Sequence, residues 1–297
     1  MLRLGTRGSR LALCQAGLAA DALRDAGLGP VAIVPISTIG DRDRRRSFSE
    51  LGGRGVFSSE LEDALVADQI DVAVHSAKDL TTDDPAGLTL AAVLPRADPR
   101  DAWCGPQGSL AEVPAGARVG TASTRRTAQL GAIRPDIAIE GLRGNVDTRL
   151  RKRGERGLAA IVLAACGLDR LGLSGEIGFR VSPDVMLPEV GQGFIALQTR
   201  AADAAALAAV SDAEGLRILR TERAAAATFG GGCLAPVAAH AEPLAGRIRL
   251  RVWIGRPDGS EHAEASGEGD DPESLGRAVA NEVLAAGGQL LLEDARA

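Results

Sequence analysis

Val72-Ala73-Val74-His75-Ser76-Ala77-Lys78-Asp79 changes character halfway along, and that change sets the reading of the fold. Val72, Ala73 and Val74 form a short apolar run suited to a buried strand, and the polar residues that follow at once mark its C-terminal end. Open α/β sheets place their ligands at that end of their strands. Outward from this point the same alternation recurs. Residues 2–5 make an apolar strand ahead of a helical pattern over 9–26, with Leu11, Leu13, Leu18, Ala22 and Leu23 as its apolar positions. Val31-Ala32-Ile33-Val34 is continuously apolar, which predicts a strand covered on both faces. Phe57, Leu61, Ala64 and Leu65 fall on one helical face. Further strands are expected at 88–94, 118–121, around Ile137-Ala138-Ile139 and at 159–164, with a helix over 123–133. Such alternation predicts an α/β body with mixed, mainly parallel sheets.

Near the C-terminus the period changes. Ile248, Leu250, Val252 and Ile254 alternate with Arg247, Arg249, Arg251 and Trp253, the pattern of a half-exposed antiparallel strand. A turn at Pro257-Asp258-Gly259 and a helix over 272–286 complete a small α+β domain. Ahead of it, Gly230-Gly231-Gly232-Cys233 closes an alanine-rich helical run. Three consecutive glycines carry too large a backbone penalty for a helix interior, so the chain turns there and places Cys233 on a loop. Two readings of Cys233 stay open at this level: an accessible, reactive thiol, or a small buried hydrophobe like most free cysteines.

A chain of 297 residues with 45% hydrophobic content suits two or three domains. Cys14, Cys104, Cys166 and Cys233 lie far apart and form no CxxC pair, as expected of reduced thiols in a cytoplasm. Arg3, Arg7 and Arg10 interrupt the apolar start, which argues against a signal peptide, and no apolar run is long enough to span a bilayer. A soluble protein is expected. With 34 basic and 39 acidic residues the net charge is −5, and aromatics make up 2%, which leaves little for phosphate tracking or base stacking on nucleic acid. Lysine occurs only at Lys78 and Lys152, so nearly every cation is a guanidinium, the group suited to planar carboxylates.

Those guanidiniums cluster at strand-to-helix junctions. Thr6-Arg7-Gly8-Ser9, Thr121-Ala122-Ser123-Thr124-Arg125-Arg126 and Leu142-Arg143-Gly144-Asn145-Val146-Asp147-Thr148-Arg149 each combine hydroxyl or amide residues with arginine where free backbone N–H groups also favour anions. One such cluster is as readily an ordinary N-cap. Three together predict a cavity for several carboxylates. Asp79 is the odd member, an acid in a cationic setting: either a plain cap, or a carboxylate that stabilises developing positive charge or acts as acid or base.

With Leu187-Pro188-Glu189-Val190-Gly191-Gln192-Gly193 and Gly231-Gly232-Cys233, these motifs closely resemble, in order and over essentially the entire chain, those of the porphobilinogen deaminase family. The resemblance implies two periplasmic-binding-protein-like lobes, 1–94 with 191–210 and 99–188, followed by a C-terminal domain over 216–297. It implies stepwise, deaminating, head-to-tail condensation of four porphobilinogen molecules on a covalently bound dipyrromethane, by a cytoplasmic, monomeric transferase of tetrapyrrole biosynthesis. By motif position Cys233 is the thioether attachment point and Asp79 the catalytic carboxylate. Lys78, Asp79, Thr121, Ser123, Arg125, Arg126, Arg143 and Gly144 are then expected to hold the cofactor, and Arg7, Ser9, Phe57, Ser76, Arg149 and Arg170 the substrate. Ile39 and Ser59 stand where the family commonly has basic residues, so substrate contact by the 40–59 loop is not carried over. No metal is expected. A non-catalytic anion-binding protein shares the architecture; it would be exported and carry no covalent adduct.

Overall fold

The computed structural model describes residues 1–38, 58–230 and 236–296, which fall into two compact units. The first comprises Met1–Ala97 and Gly193–Arg220. Its strands are β1 (Leu2–Arg7), β2 (Val31–Ile36), β3 (Val72–Ser76) and β4 (Leu88–Val93), joined by a later strand, Ile195–Arg200. The order is β2-β1-β3-(Ile195–Arg200)-β4, with β1 parallel to β2 and β3 and the returning strand antiparallel to both its neighbours. Alternation along β3 dictates what covers each face. Val72 and Val74 meet Ala16, Ala19, Ala20 and Leu23 of the helix Arg10–Asp25. Ala73 on the opposite face meets Leu61, Ala64 and Leu65 of the helix Ser59–Val66.

The expected double cover of 31–34 is corrected by the structure. β2 is an edge strand, with Ile33 and Pro35 exposed, and Pro35 has no N–H to give to a further strand. Apolar continuity there reflects a partly covered edge rather than a central position.

The second unit comprises Asp98–Gln192 and Thr221–Ala297. Its larger sheet is built from β5 (Asp101–Cys104), β6 (Arg118–Thr121), β7 (Ala138–Gly141), β8 (Ala160–Ala164) and β9 (Phe179–Val181). Numbering the returning strand of the first unit β10, the order here is β7-β6-β8-β5-β9, with β5 antiparallel to both neighbours. Both sheets therefore follow one plan: four strands run one way and a fifth is inserted against them. Trp103, fully buried, stacks on Phe179 at 5.6 Å and anchors one face.

The remaining strands, β11 (Val237–Leu244), β12 (Arg247–Gly255) and β13 (His262–Gly269), form an antiparallel meander. The helix Pro272–Val283 covers one face, burying Leu275, Val279 and Val283. The helix expected over 272–286 ends earlier: a wide turn over Leu284–Gly288, with Gly287 at φ 111°, separates it from the helix Gln289–Arg296. Ala128 and Leu187 pack against Ala238 and Trp253, which joins the meander to the larger sheet of the same unit. Among the described residues no helix is long and apolar enough to cross a membrane.

Candidate active site

In the first unit, Arg7, Ser9, Gln15, His75, Ser76 and Asp79 line a recess of about 50 Å³ at the C-terminal ends of β1 and β3. β1 delivers Arg7 at its last residue. Ser9 caps the helix Arg10–Asp25, accepting from the Ala12 N–H at 3.2 Å, so the bland reading of Ser9 as a cap is true of its hydroxyl. Asp79 ends the short 3₁₀ turn Ala77–Asp79, with Oδ2 4.0 Å from Arg7 Nη1 and its side chain 35% exposed. Lys78 precedes it, half-buried.

Two members of this recess follow from its inward faces. Gln15, buried, sits one turn beyond Ala12 on the helix, and its amide pairs with the Ser76 hydroxyl at 2.8 and 3.2 Å. His75 points to the other face of β3 and meets Gln198 Oε1 at 3.1 Å. Burial drives its pKa down to about 4; the bond to Gln198 opposes this and the Arg7 cation adds to it. The imidazole is therefore neutral at physiological pH. The sequence signal for Gln15 was a polar residue in register with the buried Ala12, Ala16 and Ala19.

In the second unit, Thr121 ends β6 and Ser123 caps the helix Thr124–Ile133, accepting from the Arg126 N–H at 3.4 Å. The Thr121 hydroxyl accepts from the Ser123 N–H at 3.3 Å. Arg125 and Arg126, expected to hold the cofactor, occupy the first turn. They are 2% and 4% exposed and already engaged. Arg125 donates through Nη1 to Leu187 O at 2.5 Å and through Nη2 to Asp101; Arg126 donates through Nε to Asp101 at 2.9 Å and through Nη1 to Val162 O at 3.1 Å. Asp101 is fully buried. Burial alone would raise its pKa, but the two guanidiniums and Gln192 outweigh it and hold the pKa at about 2. Nε of Arg125 is buried without a hydrogen-bond acceptor among the described residues; the nearest anion is Glu189 Oε2 at 3.6 Å.

Beyond β7, Arg143 is exposed and Gly144 adopts φ 125°, a conformation L side chains avoid. Its carbonyl accepts from Arg149 Nε at 2.6 Å, and that of Arg143 accepts from Lys152 Nζ at 3.0 Å. Arg149 lies on the helix Val146–Glu155, while Arg170 ends the helix Ala165–Arg170 and is half-buried. Cys233, Phe57, Ile39 and the 40–57 stretch lie outside the described residues; Ser59 opens the helix Ser59–Val66. The free cysteines described are Cys14, half-buried, with Cys104 and Cys166 buried; burial pushes the Cys104 thiol up to about 12.

Two sheets of one plan, each with arginines and hydroxyls at the C-terminal ends of its strands, define a two-lobed α/β protein suited to anionic ligands. Residues 2–208 match the family model described as porphobilinogen deaminase, dipyromethane cofactor binding domain, and residues 216–285 the model of the porphobilinogen deaminase C-terminal domain. A porphobilinogen deaminase from Roseiflexus sp. (strain RS-1) is 48% identical over 98% of each chain. One from Paracoccus denitrificans is 46% identical over 95% of this chain and 93% of its own, and one from Deinococcus radiodurans 41% identical over 99% and 98%. Among solved structures, a periplasmic substrate-binding protein from Coxiella burnetii matches with a TM-score of 0.43 at 12% identity, over 73% of this chain and 94% of that one. The chain belongs to the porphobilinogen deaminase family.

Proposed function

We propose that the chain is a hydroxymethylbilane synthase, condensing four porphobilinogen molecules head to tail with release of ammonia, as its family membership implies. The observation that carries the site assignment is the recess in which Asp79 stands 4.0 Å from Arg7 beside Ser9, Gln15 and Ser76. Its lining of a cation, hydroxyls and an amide suits a carboxylate substituent of a pyrrole. Arg7 supplies the charge for that group, and the Gln15 amide fixes the Ser76 hydroxyl that faces it. Loss of ammonia leaves positive charge on the substrate methylene carbon. Beside the Arg7 guanidinium a local anion is needed to offset that charge, and Asp79 is placed to do so. The pyrrole α-carbon that forms the new bond then gives up its proton.

Dipyrromethane, the cofactor named for this family's first domain, supplies the primer on which the units are joined. The residues present suit an anionic group of this kind: Arg143 stands exposed after β7, Ser123 and Thr124 open a helix N-terminus, and Arg125 Nε is buried with no acceptor among the described residues. Attachment is assigned to Cys233 by motif position. The lobe limits proposed are 1–94 with 191–210, 99–188, and 216–297. The mass of the purified protein before and after porphobilinogen tests the reading. A covalent adduct and equal stepwise increments are expected; an unmodified protein that neither gains mass nor releases ammonia overturns it.

A further inference from the structure

We infer that Asp101 is a positioning residue of the reaction, the buried anion that fixes Arg125 and Arg126 and thereby keeps the N-terminus of the helix Thr124–Ile133 positive and rigid. The inference rests on the reading that this helix end serves the cofactor. Asp101 opens β5, whose register is set by antiparallel pairing to both β8 and β9. Pairing on two sides leaves the carboxylate little freedom. It meets Arg125 Nη2 at 2.9 Å, Arg126 Nη2 at 2.8 Å and Gln192 Nε2 at 3.0 Å.

Two guanidiniums on consecutive residues of a helix normally diverge by about 100°. Here both side chains turn to one carboxylate, and among the described residues the repulsion between them is offset by two anions, Asp101 and the half-buried Glu189. Arg125, Arg126 and Asp101 sum to one buried positive charge; the Glu189 that balances it is 26% exposed, so solvent screens it more than it screens the buried three. Because the helix's own partial positive charge lies at the same end, the field there favours an anion. Arg125 and Arg126 thus contribute chiefly as a fixed buried charge, and among the described residues the Arg125 Nε has no hydrogen-bond acceptor. Gln192 ties the same carboxylate to the segment after β9, donating also to Pro99 O at 2.6 Å.

The test compares wild type, Asp101→Asn, Asp101→Glu and a stability control, Leu275→Ala, which empties a buried position of the same unit on the helix Pro272–Val283. Each protein is weighed intact for the covalent adduct, its thermal midpoint is measured, and KM and kcat for porphobilinogen are determined. Asp101→Asn should carry adduct in fewer than about one molecule in ten, while Leu275→Ala, at a comparable loss of thermal midpoint, stays loaded. Asp101→Glu keeps the charge but moves it by one methylene; partial loading with kcat reduced more than KM is expected. Should Asp101→Asn fail to accumulate as folded protein, Asp101→Glu carries the test. Full loading and wild-type kinetics in Asp101→Glu, or in a folded Asp101→Asn, overturn the inference, as does equal loss of adduct in the Leu275→Ala control. A wild type without adduct instead overturns the functional reading on which it rests.

Discussion

Replacing Asp79 by Asn removes one negative charge from the recess while keeping the side chain's size and one acceptor. The distance to Arg7 Nη1, 4.0 Å, gauges how closely a cation can approach this carboxylate. A unit charge pair at that separation is worth about 1 kcal/mol in water and about 4 kcal/mol at an effective dielectric of 20. Since the Asp79 side chain is 35% exposed, screening places the contribution in the lower part of that range, about 1–3 kcal/mol. Turnover should accordingly fall by roughly five- to hundredfold, at about 1.4 kcal/mol for each factor of ten. Arg7 loses its anionic neighbour in the same variant, so binding of a substrate carboxylate should hold steady or tighten. The signature is a lower kcat with KM unchanged or reduced. Single-turnover measurements on cofactor-loaded Asp79→Asn and Asp79→Glu give both quantities, and Glu should be the milder change because it keeps the charge. Near wild-type deamination by Asp79→Asn would show that the carboxylate is only the end of a 3₁₀ turn.

Cys233→Ser should be isolated without a mass adduct and without activity, whereas Ser at Cys14, Cys104 or Cys166 leaves the adduct in place; intact mass decides. Arg143→Lys and Arg149→Lys should each weaken cofactor or substrate binding by about 1–3 kcal/mol, because an ammonium cannot grip a carboxylate through two parallel bonds; titration with porphobilinogen checks this. His75 predicts an acid-side loss of stability. Its folded pKa, about 4, lies below the unfolded value of about 6.5, so the unfolded chain binds the extra proton between them. The contribution is fully present above about pH 6.5, and up to about 3 kcal/mol is lost as pH falls through the folded pKa. His75→Gln should flatten the dependence of the thermal midpoint on pH in that window; an unchanged slope counts against a neutral buried imidazole.

Strands with strong local patterns were legible in the sequence. β6 and β12 lie within a residue of the expected spans and β3 runs two residues past Val74, because uniform burial or strict alternation leaves a direct trace. β5 and β9 left none that was read: Asp101-Ala102-Trp103-Cys104 opens on a charge, and Phe179-Arg180-Val181 is only three residues long. Their pairing is decided by partners distant in sequence. The same non-locality explains Arg125 and Arg126. Sequence marks an anion-favouring junction, yet the acid that claims both guanidiniums lies 24 and 25 residues away on another element. An aspartate at the head of an apolar run was the available signal, since an unpaired carboxylate is too costly to bury. At the first recess the placement of Ala77, Lys78 and Asp79 is local, since they follow β3 directly, whereas Gln15 reaches Ser76 from 61 residues away.

Two helical glycines of the second unit make opposing forecasts that test how the meander supports the helix bearing Arg125 and Arg126. Ala exceeds Gly in helix propensity by about 1 kcal/mol, so Gly→Ala in a helix stabilises wherever there is room. Gly154, in the helix Val146–Glu155, has no atom within 4 Å of an added Cβ, and Gly154→Ala should raise stability by about that amount. At Gly131, in the helix Thr124–Ile133, the added Cβ would lie 2.3 Å from the carbonyl oxygen of Asp258, in the turn between β12 and β13. That obstacle is backbone and cannot rotate aside. The facing Gly259, at φ 78°, is equally confined, since its own Cβ would come within 2.4 Å of Ala128 O. Helix and turn therefore touch main chain to main chain, and Gly131→Ala must separate them. Overpacking of this kind costs about 1–3 kcal/mol, which outweighs the propensity gain. Denaturant titration should show Gly154→Ala more stable and Gly131→Ala less stable than wild type. Equal stabilisation by both would mean that the meander does not bear on this helix in solution.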